Sequence, residues 1–80
     1  SSLLENLYYK EVLMLIRMTL SQLPDRRRRV FEMSRFEGLS HKEIAEKLQI
    51  PVRTVEDHIY KTLTELHKVL MFVILFRLFP

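Results

Sequence analysis

Eighty residues with one Gly, three Pro and no Cys make one small domain with a single core, and they exclude disulfides and thiolate metal sites. The 48% hydrophobic content excludes a disordered chain, and the scarcity of turn residues excludes an all-β fold. The net charge of +3 and pI near 9.5 fit a polyanionic partner, and the N-terminus lacks the basic stretch and small-residue cleavage site of a signal peptide.

The fold class expected is all-α, a small bundle of about four to five helices. The leading helix, within residues 1–22, places Leu4, Tyr8, Val12, Leu15, Ile16 and Leu20 at three- and four-residue spacing. Leu23-Pro24-Asp25 ends it and opens a support helix over 24–37, since Pro fits a first helical turn and Asp25 suits its positive end. Val30, Phe31 and Ser34 are expected on the inner face of that helix. Gly38 stops it, supplying the left-handed conformation that a helix C-terminus often needs.

Ser40-x-x-Glu43 is a capping box that opens the third helix, with Ile44, Ala45 and Leu48 as its buried stripe. Ala45 is small where two steeply crossing helices come closest. Gln49-Ile50-Pro51 forms a turn, with Ile50 as an apolar plug. The fourth helix begins near Val52 and is expected to turn Val55, Ile59, Leu63, Leu66 and Leu70 inward. Residues 40–68 thus read as a helix-turn-helix, which presents its second helix to the major groove of DNA.

Leu23-Pro24, Arg29-Val30-Phe31, Glu37-Gly38-Leu39-Ser40, Glu43-Ile44-Ala45 and Thr54-Val55 together resemble region 4 of sigma-70 family factors, closest to the extracytoplasmic-function type. The likeness covers roughly residues 20–70. It implies recognition of the minus-35 promoter element, docking on the flap of the RNA polymerase β subunit, and a cytoplasmic place of action. It also implies that the chain is a C-terminal piece of a longer factor. The helix-turn-helix of LuxR-type response regulators stays open as an alternative, since it shares Gly38-Leu39-Ser40, Lys42-Glu43-Ile44-Ala45, Thr54-Val55-Glu56 and His58. Leu23-Pro24-Asp25-Arg26 and Leu66-His67-Lys68 depart from that family's usual start and end. A protein-interaction module that keeps the fold without DNA binding is a further alternative.

The exposed face of the fourth helix is expected to carry Val52, Arg53, Thr54, Glu56, Asp57, Tyr60, Lys61 and Thr64. Arg53 suits guanine or a phosphate, and Thr54 suits a phosphate or a local cap. Glu56 and Asp57 can accept from a cytosine amino group, while Lys42 and Lys61 suit phosphates. From Val52 to Lys68 three basic and three acidic residues cancel, which predicts weak intrinsic DNA affinity offset by tethering to polymerase. Gln49 and Pro51 also replace the Gly and the small capping residue that the family often carries in this turn. Arg26, Arg27, Arg28 and Arg29 could supply phosphate or polymerase contacts, or pair with Glu32 and neighbouring acids.

No catalytic constellation is expected. His41, His58 and His67 lack the i, i+4 spacing of a metal pair, and one Gly cannot build a phosphate loop. No cofactor or metal follows from the residues present. His58 is expected at the edge of the core beside Val55, or against a phosphate. The apolar tail over 69–80 is shorter than the roughly 20 residues needed to cross a bilayer. It is expected to fold back on Leu3, Leu7 and Met14 of the first helix, or to serve as a surface for an anti-sigma factor, polymerase or a second copy.

Overall fold

The computed structural model describes residues 2–78, which form four helices: α1 Ser2–Ser21, α2 Asp25–Arg35, α3 His41–Leu48 and α4 Val52–Leu78. α4 packs against each of the other three, and α2 also meets α3. The core lies where α2, α3 and α4 converge. Val30 and Met33 of α2, Ile44 and Ala45 of α3, and Val55 and Ile59 of α4 are buried there, with Leu39, Leu48 and Ile50 packed at the edge. A second cluster of Leu20, Leu23, Phe31 and Leu66, with Ile16, ties α1 to α2 and α4.

Local chemistry sets the helix ends. Gly38 has φ +71°, and a Cβ there would meet nothing within 4 Å, so the requirement for glycine is one of backbone conformation. The Phe36 and Glu37 amides return to the Glu32 carbonyl, and the Leu39 amide returns to that of Met33. The capping box forms as expected: Ser40 Oγ accepts from the Glu43 amide at 3.1 Å, and the Ser40 amide donates to Glu43 Oε1 at 2.9 Å. These hydrogen bonds hold the Glu43 carboxyl below its ordinary pKa of 4.5. Gln49 takes the left-handed conformation at φ 54°, where glycine would be less strained, and its amide reaches the Ala45 and Glu46 carbonyls.

Four expectations are corrected. Leu63 is 41% exposed, and Thr62 is buried in its place. The inner positions run Val55, Ile59, Thr62 and Leu66, and the Thr62 hydroxyl meets its polar requirement by donating to the His58 carbonyl at 2.8 Å. In α2, Met33 fills the core, whereas Ser34 is only half-buried. In α1, Leu4 and Tyr8 stand in solvent, because the cover given by α4 starts nearer Val12.

The tail does not fold back. Its described part continues α4 without a break, since no Gly or Pro interrupts the helix before Leu78. Val69, Leu70 and Val73 are half-buried, while Met71, Phe72, Ile74, Leu75 and Phe76 are exposed. Leu3, Leu7 and Met14, the expected partners of the tail, are exposed as well. Phe79 and Pro80 lie outside the described residues.

Candidate nucleic-acid interface

The N-terminal turns of α4 and the start of α3 both carry solvent-facing side chains. Val52, Arg53, Glu56, Asp57, Tyr60 and Lys61 are exposed on α4, Thr54 and Thr64 are half-buried, and Lys42 is exposed on α3. Pro51 precedes α4, and its carbonyl accepts from the Thr54 and Val55 amides. Its side chain has no oxygen to cap the helix, and the first turn of α4 contains no acidic residue. The positive end of α4 is therefore not neutralised from within the turn.

Further along the same face the charges cancel. Lys61 Nζ lies 3.0 Å from Asp57 Oδ2 across one helical turn, so this lysine already has a carboxylate partner. Arg53 has no such pair among the described ion pairs.

The four consecutive arginines separate in space. Arg28 reaches Asp25 at 2.6 Å and lies 3.4 Å from the Ser21 and Leu23 carbonyls, which staples the start of α2 to the end of α1. Arg29 pairs with Glu37 beyond the C-terminus of α2. The acids used are Asp25 and Glu37 rather than Glu32. Arg26 is exposed, whereas Arg27 is half-buried with its Nε enclosed and without a hydrogen-bond partner among the described residues.

Sequence reasoning missed the relation between Arg27 and His58, which the contact of α2 with α4 creates. His58 is half-buried beside the core, and its Nδ1 is enclosed without a hydrogen-bond partner among the described residues. Desolvation lowers its pKa below the ordinary 6.5, and Arg27 lowers it further, followed by Lys61 and Arg26; Asp57 acts the other way. A histidine that folds with a depressed pKa stabilises the native state above about pH 6.5, and that contribution falls away as pH drops, because the unfolded chain then binds more protons. The urea midpoint is expected to fall between pH 7.5 and 5.5, and His58→Gln is expected to flatten that fall. An unchanged slope in the variant would disprove the assignment. The Glu43 contribution lies in a separate window, below about pH 4.5.

Among the described residues no group of three or more His, Cys, Asp or Glu side chains could hold a metal ion, and no helix is long and apolar enough to cross a membrane. The fold and its outward helix define the helix-turn-helix class of DNA-binding domain. Within that class, the family model for Sigma-70, region 4 matches residues 13–66, and the chain belongs to this family. Its domains are non-enzymatic and recognise the minus-35 promoter element in transcription initiation. Of the two helix-turn-helix families left open by the sequence, the match selects the sigma factor. Over 46 residues the chain is 44% identical to the RNA polymerase sigma factor SigZ of Bacillus subtilis (strain 168), covering 58% of this chain and 26% of that protein. The chain therefore spans about a quarter of the length of that relative.

Proposed function

We propose that this chain is the promoter-recognition domain of an extracytoplasmic-function sigma factor, acting in the cytoplasm without catalysis of its own. The observation that carries the reading is the solvent-facing first turn of α4, with Arg53 in none of the ion pairs among the described residues and no side-chain cap from Pro51 at the helix start. Arg53 meets a guanine edge or a phosphate, while Val52, Glu56, Asp57 and Tyr60 line the groove. Thr54 and Lys42 meet the flanking backbone, and Lys61 serves there only as far as Asp57 releases it. The other partner is the RNA polymerase core, through the flap of the β subunit. An open groove between α1 and α2, lined by Leu13, Ile16, Leu20 and Phe36, is an apolar surface available for that contact.

Arg53, Glu56, Asp57 and Lys61 sum to no net charge, so this face draws little affinity from phosphate attraction. Tethering to polymerase makes up the shortfall by raising the local concentration. The test is fluorescence anisotropy on a minus-35 duplex and a scrambled duplex across a salt series. Arg53→Ala is expected to weaken binding about tenfold and to reduce the salt slope by about 1. Asp57→Asn is expected to strengthen binding to both duplexes, since it frees Lys61 and removes a repelling charge. A parent domain that binds polymerase core but neither duplex at low salt would favour the interaction-module reading, to which the neutral face of α4 also points.

A further inference from the structure

The positive charge missing from the exposed face of α4 is gathered at its flank, on the seam between α2 and α4. Arg26 and Arg27 enter none of the ion pairs among the described residues, while Asp25 is held by Arg28 and Glu37 by Arg29. Across the seam stands His58. After its burial, Arg27 acts on it most strongly, followed by Asp57, Lys61 and Arg26. Three cations against one carboxylate leave this patch at +2 before His58 takes a proton. α3 and α1 meet α4 through the apolar clusters around Val55 and Leu66, and none of the charges acting on His58 comes from either.

Arg27 Nε and His58 Nδ1 are enclosed, and neither has a hydrogen-bond partner among the described residues. A guanidinium only donates, and a protonated imidazole donates from both nitrogens, so the pair calls for a negatively charged acceptor. The Arg27 Nη groups and His58 Nε2 are not among the enclosed atoms, so such an acceptor can approach them from outside. We infer that a backbone phosphate of the duplex takes this place, bridging Arg27 of α2 and His58 of α4, with Arg26 at the rim. The inference rests on the reading that the exposed face of α4 meets DNA. At about 100° per residue, His58 lies about 60° round the helix from Lys61, so the seam borders that face. A phosphate has two free oxygens on one centre, which suits donors arriving from two helices.

The clamp links DNA binding to a proton. Without an anion, a charged His58 is repelled by Arg27; with a phosphate between them, both cations are attracted to it. Binding therefore raises the proton affinity of His58, and affinity for the duplex in turn rises as pH falls. The sign is opposite to that of folding, whose His58 contribution is lost over the same range.

Anisotropy on the minus-35 duplex at fixed salt from about pH 7.5 to 5.5, with helical signal recorded throughout, tests this. Binding is expected to tighten about three- to tenfold on acidification, and His58→Gln to abolish that gain. Arg27→Gln is expected to weaken binding and to reduce the salt slope by about 1. His41→Gln, at the exposed start of α3, is expected to keep the gain. In the parent chain, the His58 ring titration followed by NMR is expected to rise by about 1 pH unit on adding duplex, and by less with inorganic phosphate. Binding that ignores pH while Arg53→Ala still weakens it overturns the clamp and leaves the DNA reading standing; no binding to any duplex overturns both. A gain that survives His58→Gln, or a ring titration unmoved by duplex, also overturns the clamp. A pH response confined to polymerase core would assign the seam to an acidic protein partner. An equal rise with inorganic phosphate would assign it to a free anion, and either result overturns the duplex contact.

Discussion

Ile44→Ala is expected to destabilise the domain by about 2–5 kcal/mol, the range found when a buried Ile or Leu is cut to Ala. Ile44 is fully buried, and its neighbours in the core come from both α2 and α4. Neither helix can close the cavity alone, since each is also held elsewhere: α2 through Phe31 and Leu23, α4 through Leu66. A domain of this length has a total stability of about 4–12 kcal/mol, so one truncation removes a large share of it. The melting midpoint followed by circular dichroism is expected to fall by about 10–30 °C. A fall of less than about 3 °C would show that Ile44 does not hold the core together.

Ala45→Leu is expected to do comparable damage by the opposite route. Ala45 is 6% exposed and sits in the same cluster as Val55 and Ile59. Three added heavy atoms have no space there, and overpacking of this kind costs about 1–3 kcal/mol even when the helices yield. Yielding means that α3 and α4 separate or rotate, which shifts Lys42 relative to Arg53. Ala45→Leu is therefore expected to lose DNA binding even at temperatures where it stays folded, whereas folded Ile44→Ala keeps it. Measuring anisotropy and helical signal on both variants at about 10 °C separates the two, and equal binding would refute the distinction.

The parts of the fold legible in the sequence were those decided within a few residues. The Ser40–Glu43 box needs only two side chains three positions apart, and the glycine at Gly38 needs only its own backbone angle. The phase of α4 was less legible. Thr62 and Leu63 differ by about 100° around the axis, and hydropathy favours Leu63. The line along which α2 crosses α4 puts Thr62 inside, and a hydroxyl bonded to its own helix bears that burial. The fate of the tail did have a sequence signal, the lack of any breaker between Leu66 and Phe76, but the apolar composition suits a folded-back strand of chain equally well.

At the candidate interface, exposure was legible and pairing was not. Helical spacing placed Arg53, Glu56, Asp57, Tyr60 and Lys61 on one outward face, where the structure has them. The partner of Arg29 is a residue beyond the helix end, and the partner of Arg28 lies one turn before it. The enclosure of Arg27 beside His58 exists only because α2 docks on α4, a contact between residues about thirty positions apart.

The unbroken course of α4 has a mechanical meaning. Twenty-seven residues of continuous helix make a rod of about 40 Å, with the solvent-facing turns around Arg53 at one end and bare aromatic rings at the other. Phe72 and Phe76 stack at 6.4 Å near that far end and form a ready grip. A tilt of about 10° applied there swings the opposite end by about 7 Å, two base-pair steps along a duplex. Whatever takes hold of the tail moves the end that carries Arg53 directly, as a hand steers a tiller, with no hinge between them to absorb the motion.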